Sequence, residues 1–189
     1  MKIIPKLNEG HAPDEIISRF LKPGEFYFGD SDCQIHTILG SCISITLWHP
    51  ELQIGGMCHF VLPGQPPFRQ VHQTDEKLNG RYADHAMALF EREILGRGTA
   101  FKHYQAKIFG GSNMLTNGTL EEDTFIGKKN TESAIKHLTK RGVSLLVAHV
   151  GETGHRRIAF DIKNGDVWVK HSSLCKDIPS LLRKGIPCL

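Results

Sequence analysis

Between Gln34 and Trp48, apolar and polar residues trade places along the chain, with Ile43, Ile45 and Leu47 on one side of an extended segment and Ser44 and Thr46 on the other. A period of two marks a strand with one face on a core. Strands are predicted over Gln34 to Leu39 and Cys42 to Trp48, joined at Gly40, and over Ile54 to Leu62, closed by Pro63, which cannot donate to a ladder. The turn His49-Pro50-Glu51-Leu52-Gln53 makes the second and third a hairpin, which carries Cys42 and His59 toward one another. Glu25 to Gly29 reads as extended. His103 to Phe109, Val143 to Val150, Arg157 to Ile162 and Val167 to Lys170 also read as strands, the last two linked by a tight Asn164-Gly165 turn.

Helical spacing occurs in three places. Asp14 to Leu21 predicts a short helix closed by Pro23-Gly24. Tyr82 to Leu95 gathers Ala83, Ala86, Met87, Phe90 and Ile94 on one face and stops at Gly96. The segment from Asn130 to Arg141 predicts a helix with Asn130 as its N-cap, a basic last turn that complements the dipole, and Gly142 as its terminator. Pro63 to Gly80, with Pro66-Pro67 and no period, is a loop long enough to act as a lid. Periodicity is lost after Lys170, and no internal repeat appears. The organisation expected is one domain over 24–170, an N-terminal extension with a short helix over 1–23 and a tail over 171–189.

Composition narrows the class. A chain of 189 residues with 40% hydrophobic and 23% charged residues and 19 glycines suits a globular domain with a substantial core and many turns. The net charge of +3 comes from dispersed lysines and arginines with no aromatic interleaving, which gives nucleic acid no footprint. The first residues lack the apolar core of a signal peptide, and no run approaches the ~20 apolar residues of a membrane span. Five cysteines make an odd count with no Cys-x-x-Cys pair, which suits a reducing compartment. A cytoplasmic protein without membrane insertion is expected. The 11 histidines form no His-x-x-x-His or His-Glu-x-x-His pair, so no metal and no cofactor are expected.

The chemistry points to two residues. Cys42 follows the glycine turn Leu39-Gly40-Ser41, and His59 follows Gly55-Gly56-Met57-Cys58. A thiol and an imidazole suffice for acyl transfer once the thiol is activated by a neighbouring imidazolium or a cluster of backbone N–H groups. The plainer alternative is that both are ordinary strand residues, since a buried free cysteine behaves as a small hydrophobe. Cys58 points away from the face His59 uses and is expected to be inert. Gly110-Gly111-Ser112-Asn113-Met114 lacks the Lys-Ser/Thr of a phosphate-binding loop.

Five motifs in order, Thr37-Ile-Leu-Gly-Ser-Cys42, Gly55-Gly-Met-Cys-His59-Phe-Val-Leu-Pro63, Tyr82-Ala-Asp84, Lys107-Ile-Phe-Gly-Gly-Ser-Asn-Met114 and Ile126-Gly-Lys-Lys-Asn130, resemble the chemoreceptor glutamine deamidases, the CheD family. The resemblance runs from about Gly24 to Lys170. It implies an α+β fold, a three-layer α/β/β sandwich, and a cysteine-dependent enzyme that converts glutamines of methyl-accepting chemotaxis receptors to glutamate with release of ammonia. It also implies that some members associate with a chemotaxis phosphatase. The roles it carries over are nucleophile for Cys42, acid and base for His59, and orientation of the imidazole for Thr37. It further sets the 110–114 loop at the site, with Ser112 and Asn113 as substrate-binding candidates; Ser41, beside the nucleophile, is a third candidate and otherwise a turn residue. Two other classes stay open: a docking protein for receptor or phosphatase, and another cysteine amidohydrolase or transglutaminase-like enzyme, since a glutamyl thioester is captured by water or by an amine.

Overall fold

A computed structural model describes residues 16–66, 78–113 and 122–173. Nine strands and two helices stack as three layers. In chain order they are β1 (Ile17–Phe20), β2 (Phe26–Gly29), β3 (Cys33–Leu39), β4 (Ile43–His49), β5 (Ile54–Cys58), α1 (Ala83–Gly96), β6 (Gln105–Gly110), α2 (Glu122–Lys140), β7 (Ser144–Val150), β8 (His155–Asp161) and β9 (Val167–Ser172). The central sheet has the order β2-β5-β4-β6-β7 and the outer sheet β1-β3-β8-β9. Pairings are antiparallel except β1 with β3 and β6 with β7.

Strand alternation builds the two cores. Ile43, Ile45 and Leu47 of β4 and Ala106 and Ile108 of β6 face the helices, where they pack with Ala86, Met87, Phe90 and Ile94 of α1 and Ala134 and Leu138 of α2. Met57 and Phe109 face the opposite way and meet Cys33, Ile35 and Leu39 of β3 and Ile158 and Phe160 of β8 between the two sheets. A sheet covered on both faces gives the α/β/β sandwich. The face assignment read from β4 and the amphipathic stripe of α1 both hold.

Three boundaries differ from expectation. Ile17–Phe20 is an edge strand rather than part of a helix: it lies parallel to β3 with Ile17 opposite Cys33, and that pairing overrides the local spacing. The second helix starts at Glu122, so Asn130 lies inside it rather than capping it; its other end is as predicted, with Gly142 at φ +66° and the Val143 N–H returning to the Leu138 carbonyl at 3.1 Å. Strand β5 ends at Cys58, and beyond it only isolated bridges, Ile43 to Phe60 and Leu62 to Tyr82, continue the pairing. A short 3₁₀ turn over Phe101–His103 precedes β6, and β9 continues to Ser172. Most of the predicted lid, 67–77, and the segments 1–15 and 174–189 lie outside the described residues.

Candidate active site

The chain crosses from the outer sheet to the central one at Gly40-Ser41-Cys42, and this crossing creates the site. Strand β3 ends the outer sheet's run with Thr37 and Leu39 facing inward; two residues after the crossing the chain is β4 of the central sheet. Strands β4 and β5 pair with Thr46 opposite Met57, and the bridge from Ile43 to Phe60 keeps the same register, so Ser44 lies opposite His59 and Cys42 opposite Val61. Cys42 and His59 are therefore diagonal neighbours on the face that looks toward the outer sheet. The hairpin expected from the sequence has this effect, and Thr37 arrives from the other sheet.

His59 is held at every point except one. Its backbone N–H donates to the Glu25 carbonyl at 3.0 Å and its carbonyl accepts from Gly24 at 2.7 Å. Its Nδ1 lies 2.8 Å from the Thr37 hydroxyl, and that hydroxyl donates to the Leu21 carbonyl at 2.8 Å. A hydroxyl has one proton; since Leu21 takes it, Thr37 accepts from Nδ1–H. The neutral ring then carries its lone pair on Nε2, a buried atom with no partner among the described residues. The Ser44 hydroxyl, also buried, likewise has none. Burial lowers the pKa of His59 below the usual 6.5, opposed by the Leu21 carbonyl and the Glu25 carboxylate. The imidazole thus rests neutral, with Nε2 as a base.

Cys42 is half-buried, and burial raises its thiol pKa, opposed by the Arg81 guanidinium and by its own backbone N–H. Thiol and imidazole are not hydrogen-bonded in this resting state; such contacts commonly tighten only with substrate bound. The resting pair is therefore neutral thiol and neutral imidazole, rather than a preformed thiolate stabilised by imidazolium. Cys58, on the other side of its strand, is fully buried among the helix-side residues, with its pKa pushed up to about 12. Among the described residues no group of three or more His, Cys, Asp or Glu is placed to hold a metal.

The loop that carries Cys42 is tied by its carbonyls. Gly40 accepts from the Ser112 N–H at 2.8 Å, Ser41 from Asn130 Nδ2 at 3.1 Å and Cys42 from the Gly111 N–H at 2.8 Å. In a trans peptide the N–H points opposite to the C=O. The Ser41 N–H is thereby turned away from Ser112 and the Cys42 N–H away from Asn130. Gly110 makes this approach possible: it has φ +108°, and a Cβ there would stand 2.1 Å from the Cys42 carbonyl oxygen.

Two residues hold this arrangement, Asn130, expected only as a helix cap, and Arg156, for which the sequence gives no role. Asn130, fully buried, bonds both Ser41 and Val61, the latter at 2.8 Å, and so joins the Cys42 loop to the segment after His59. Arg156, also fully buried, donates through Nε to His149 Nδ1 at 2.8 Å, through Nη1 to the Ser112 hydroxyl, and through Nη2 to Glu152 at 3.2 Å. The Asn130 contacts and the Ser112 contact of Arg156 join segments far apart in sequence, which the local pattern does not signal. Ser112 is itself fully buried and faces Arg156. Ser41 is half-buried in the loop. Asn113 bridges Thr153 and, with Gly111, Thr131, Val150 and Glu152, lines a cavity of about 280 Å³ whose wall does not include Cys42 or His59.

Comparison with known proteins identifies the family. Residues 61–171 match the family described as CheD chemotactic sensory transduction. Over 160 residues the chain is 44% identical to the probable chemoreceptor glutamine deamidase CheD 3 of Dechloromonas aromatica, covering 84% of this chain and 89% of that protein. It is 41% identical over 153 residues to the probable chemoreceptor glutamine deamidase CheD 1 of Chromobacterium violaceum, covering 81% and 77% of the two chains. A third relative, the probable chemoreceptor glutamine deamidase CheD of Pseudomonas savastanoi pv. phaseolicola, is 38% identical over 165 residues, covering 87% and 90%. On the family match and these three relatives alike, the chain belongs to the CheD family.

Proposed function

We propose that this protein deamidates glutamine side chains of chemotaxis receptors, with Cys42 as nucleophile, His59 as acid and base, and Thr37 as the positioning residue of the imidazole. The observation that carries it is the Leu21–Thr37–His59 chain, which fixes the Nδ1–H tautomer and leaves Nε2 as the lone-pair donor beside Cys42. Nε2 takes the thiol proton as Sγ attacks the carboxamide carbon. The tetrahedral oxyanion falls to the N–H groups of Ser41 and Cys42. Nε2–H then protonates the departing nitrogen, and ammonia leaves a glutamyl thioester. Water attacks that carbon, gives its proton to Nε2, and the C–S bond breaks to glutamate while the proton returns to Sγ. Acid–base help of this kind contributes roughly 10²–10⁴-fold.

The substrate-binding candidates divide by burial. Ser112 acts through the loop: its N–H holds Gly40 while Arg156 holds its hydroxyl. Ser41 offers its N–H, and Asn113 lies a residue beyond on the same segment, nearer the 280 Å³ cavity. The relatives' names point to chemoreceptors as substrate, and a phosphatase partner is the finer part of this proposal. Among the described residues no helix is long and apolar enough to cross a membrane; action in the cytoplasm, where receptor signalling domains lie, belongs to the same proposal.

The test is incubation with purified receptor cytoplasmic domains and mass spectrometry of their glutamine peptides. Hydrolysis adds about one dalton per site, amine transfer adds the mass of the amine, and docking alone adds nothing. Thr37→Val provides a sharper check. It removes the acceptor for Nδ1–H, so kcat is expected to fall about 10- to 100-fold with KM little changed, and Thr37→Ser to recover most of the loss. Equal activity of Thr37→Val and wild type overturns the role of Thr37.

A further inference from the structure

One charged side chain at the site has no part in the reaction as derived. The segments around Cys42, Val61 and Arg81 lie side by side. Cys42 faces Val61 in the β4–β5 register, and the N–H groups of Val61 and Leu62 both donate to the Arg81 carbonyl at 2.9 Å. From there the Arg81 side chain crosses Gly24, its Cγ 2.6 Å from where a Cβ on Gly24 would stand, and Gly24 is the residue bonded to the His59 carbonyl. The stem therefore lies over Gly24, next to the backbone that holds the His59 carbonyl, while the Arg81 backbone adjoins the segment opposite Cys42. Arg81 is exposed, and the ion pairs of the described residues do not include it. The one carboxylate near His59, Glu25, turns to the Lys22 backbone N–H at 2.8 Å.

We propose that Arg81 is a specificity-determining residue: its guanidinium, carried over Gly24 to the mouth of the Cys42–His59 pair, binds a substrate carboxylate beside the target glutamine. The enzyme then selects glutamines set among acidic residues. This rests on the deamidase reading above. Packing of the stem on Gly24 lowers the ordering cost of the contact, and the planar fork of arginine matches a carboxylate in a way lysine does not. A cation facing only water is the alternative, and it predicts no selectivity.

Two measurements decide. In the first, Cys42 is alkylated with iodoacetate and with iodoacetamide in the wild type, Arg81→Ala, Arg81→Lys and Arg81→Glu, and each rate is read at the Cys42 peptide. Both reagents meet the same thiolate, so their ratio cancels its reactivity and reports only the preference for an anion. The ratio is expected to fall about five-fold in Arg81→Ala and further in Arg81→Glu, with Arg81→Lys between wild type and alanine. In the second, kcat/KM is measured on a receptor cytoplasmic domain before and after the acidic neighbours of a modified glutamine are changed to glutamine. The wild type is expected to lose about ten-fold and Arg81→Ala nothing further. An unchanged alkylation ratio in both Arg81→Ala and Arg81→Glu, or equal losses by wild type and Arg81→Ala, overturns the proposal. A ratio that shifts as expected while the wild type modifies no receptor glutamine overturns the deamidase reading, and with it the substrate clause, and leaves an anion site.

Discussion

Cys42→Ser is expected to abolish receptor deamidation, by about 10⁴-fold or more in kcat, while leaving the fold and receptor binding intact. The exchange is small in volume, but chemically large. An alcohol proton is held far more tightly than a thiol proton, and a neutral Nε2 is too weak a base to compensate. Sulfur is also the stronger nucleophile toward a carboxamide carbon. Stability is expected to change little, because Cys42 is half-buried at the rim of the inter-sheet core and its loop is held through the carbonyls of residues 40 to 42, which the substitution leaves in place. A change within about 1 kcal/mol moves Tm by no more than roughly 2–4 °C in a chain of this size. Mass spectrometry of receptor peptides reads the first expectation, thermal melting the second and a pull-down on receptor domains the third. Active Cys42→Ser removes Cys42 as nucleophile; an inactive but unfolded variant leaves Cys42→Ala, of nearly the same volume, to separate chemistry from folding.

Strands with one face on a core were legible because their alternation is local. Ile43, Ile45 and Leu47 needed no partner to be assigned to one side, and the turn at Pro50 sufficed to pair β4 with β5. Where tertiary contact competes with local pattern, the local reading fails. Ile17, Phe20 and Leu21 have helical spacing, but the open edge of β3 offers Ile17–Phe20 a parallel ladder. Asn130 suits an N-cap and so predicts a helix start, yet α2 already runs through Gly127 before it. That glycine is present for a reason invisible in sequence: a Cβ on it would stand 2.6 Å from the Gly111 carbonyl, and its absence lets the helix lie against the loop that holds Cys42.

The site divides in the same manner. Cys42 and His59 are 17 positions apart on one hairpin and announce themselves by glycine turns and by chemistry. Thr37 came from resemblance alone, since a strand threonine is otherwise unremarkable; its role depends on a proton count among Leu21, Thr37 and His59 that only coordinates supply. Asn130 and Arg156 were out of reach because their partners lie 89 and 69 positions away for the first and 44 for the Ser112 contact of the second. A cap explains Asn130 by its neighbours in the chain, while its hydrogen bonds explain it by its neighbours in space. Two buried polar side chains thus fix a reactive loop that apolar packing alone would leave without a defined direction.

His59→Ala is expected to lower kcat by about 10²–10⁴-fold, because acylation and deacylation both route a proton through Nε2. Added imidazole is expected to restore part of the rate, since it supplies the missing base. The pH profile supplies the control. With the His59 pKa lowered and that of Cys42 raised, the reactive form, a thiol beside a neutral imidazole, exists between the two. Wild-type activity is expected to rise as pH climbs through a point below the usual imidazole value of 6.5, and to fall only in the alkaline range where the thiol ionises and the proton for departing ammonia is lost. In His59→Ala the acid limb set by the histidine should vanish, and the residual rate should rise as the Cys42 thiol ionises, since no base is left to take its proton. Stability carries the matching sign: a histidine buried neutral binds fewer protons folded than unfolded, so its contribution is complete above 6.5 and is lost as pH falls toward the lowered folded value. His59→Ala should flatten that part of the stability curve. An acid limb that survives in His59→Ala belongs to another group and removes His59 as the base, whereas its loss together with imidazole rescue ties the limb, the proton and the Thr37-held tautomer to one nitrogen.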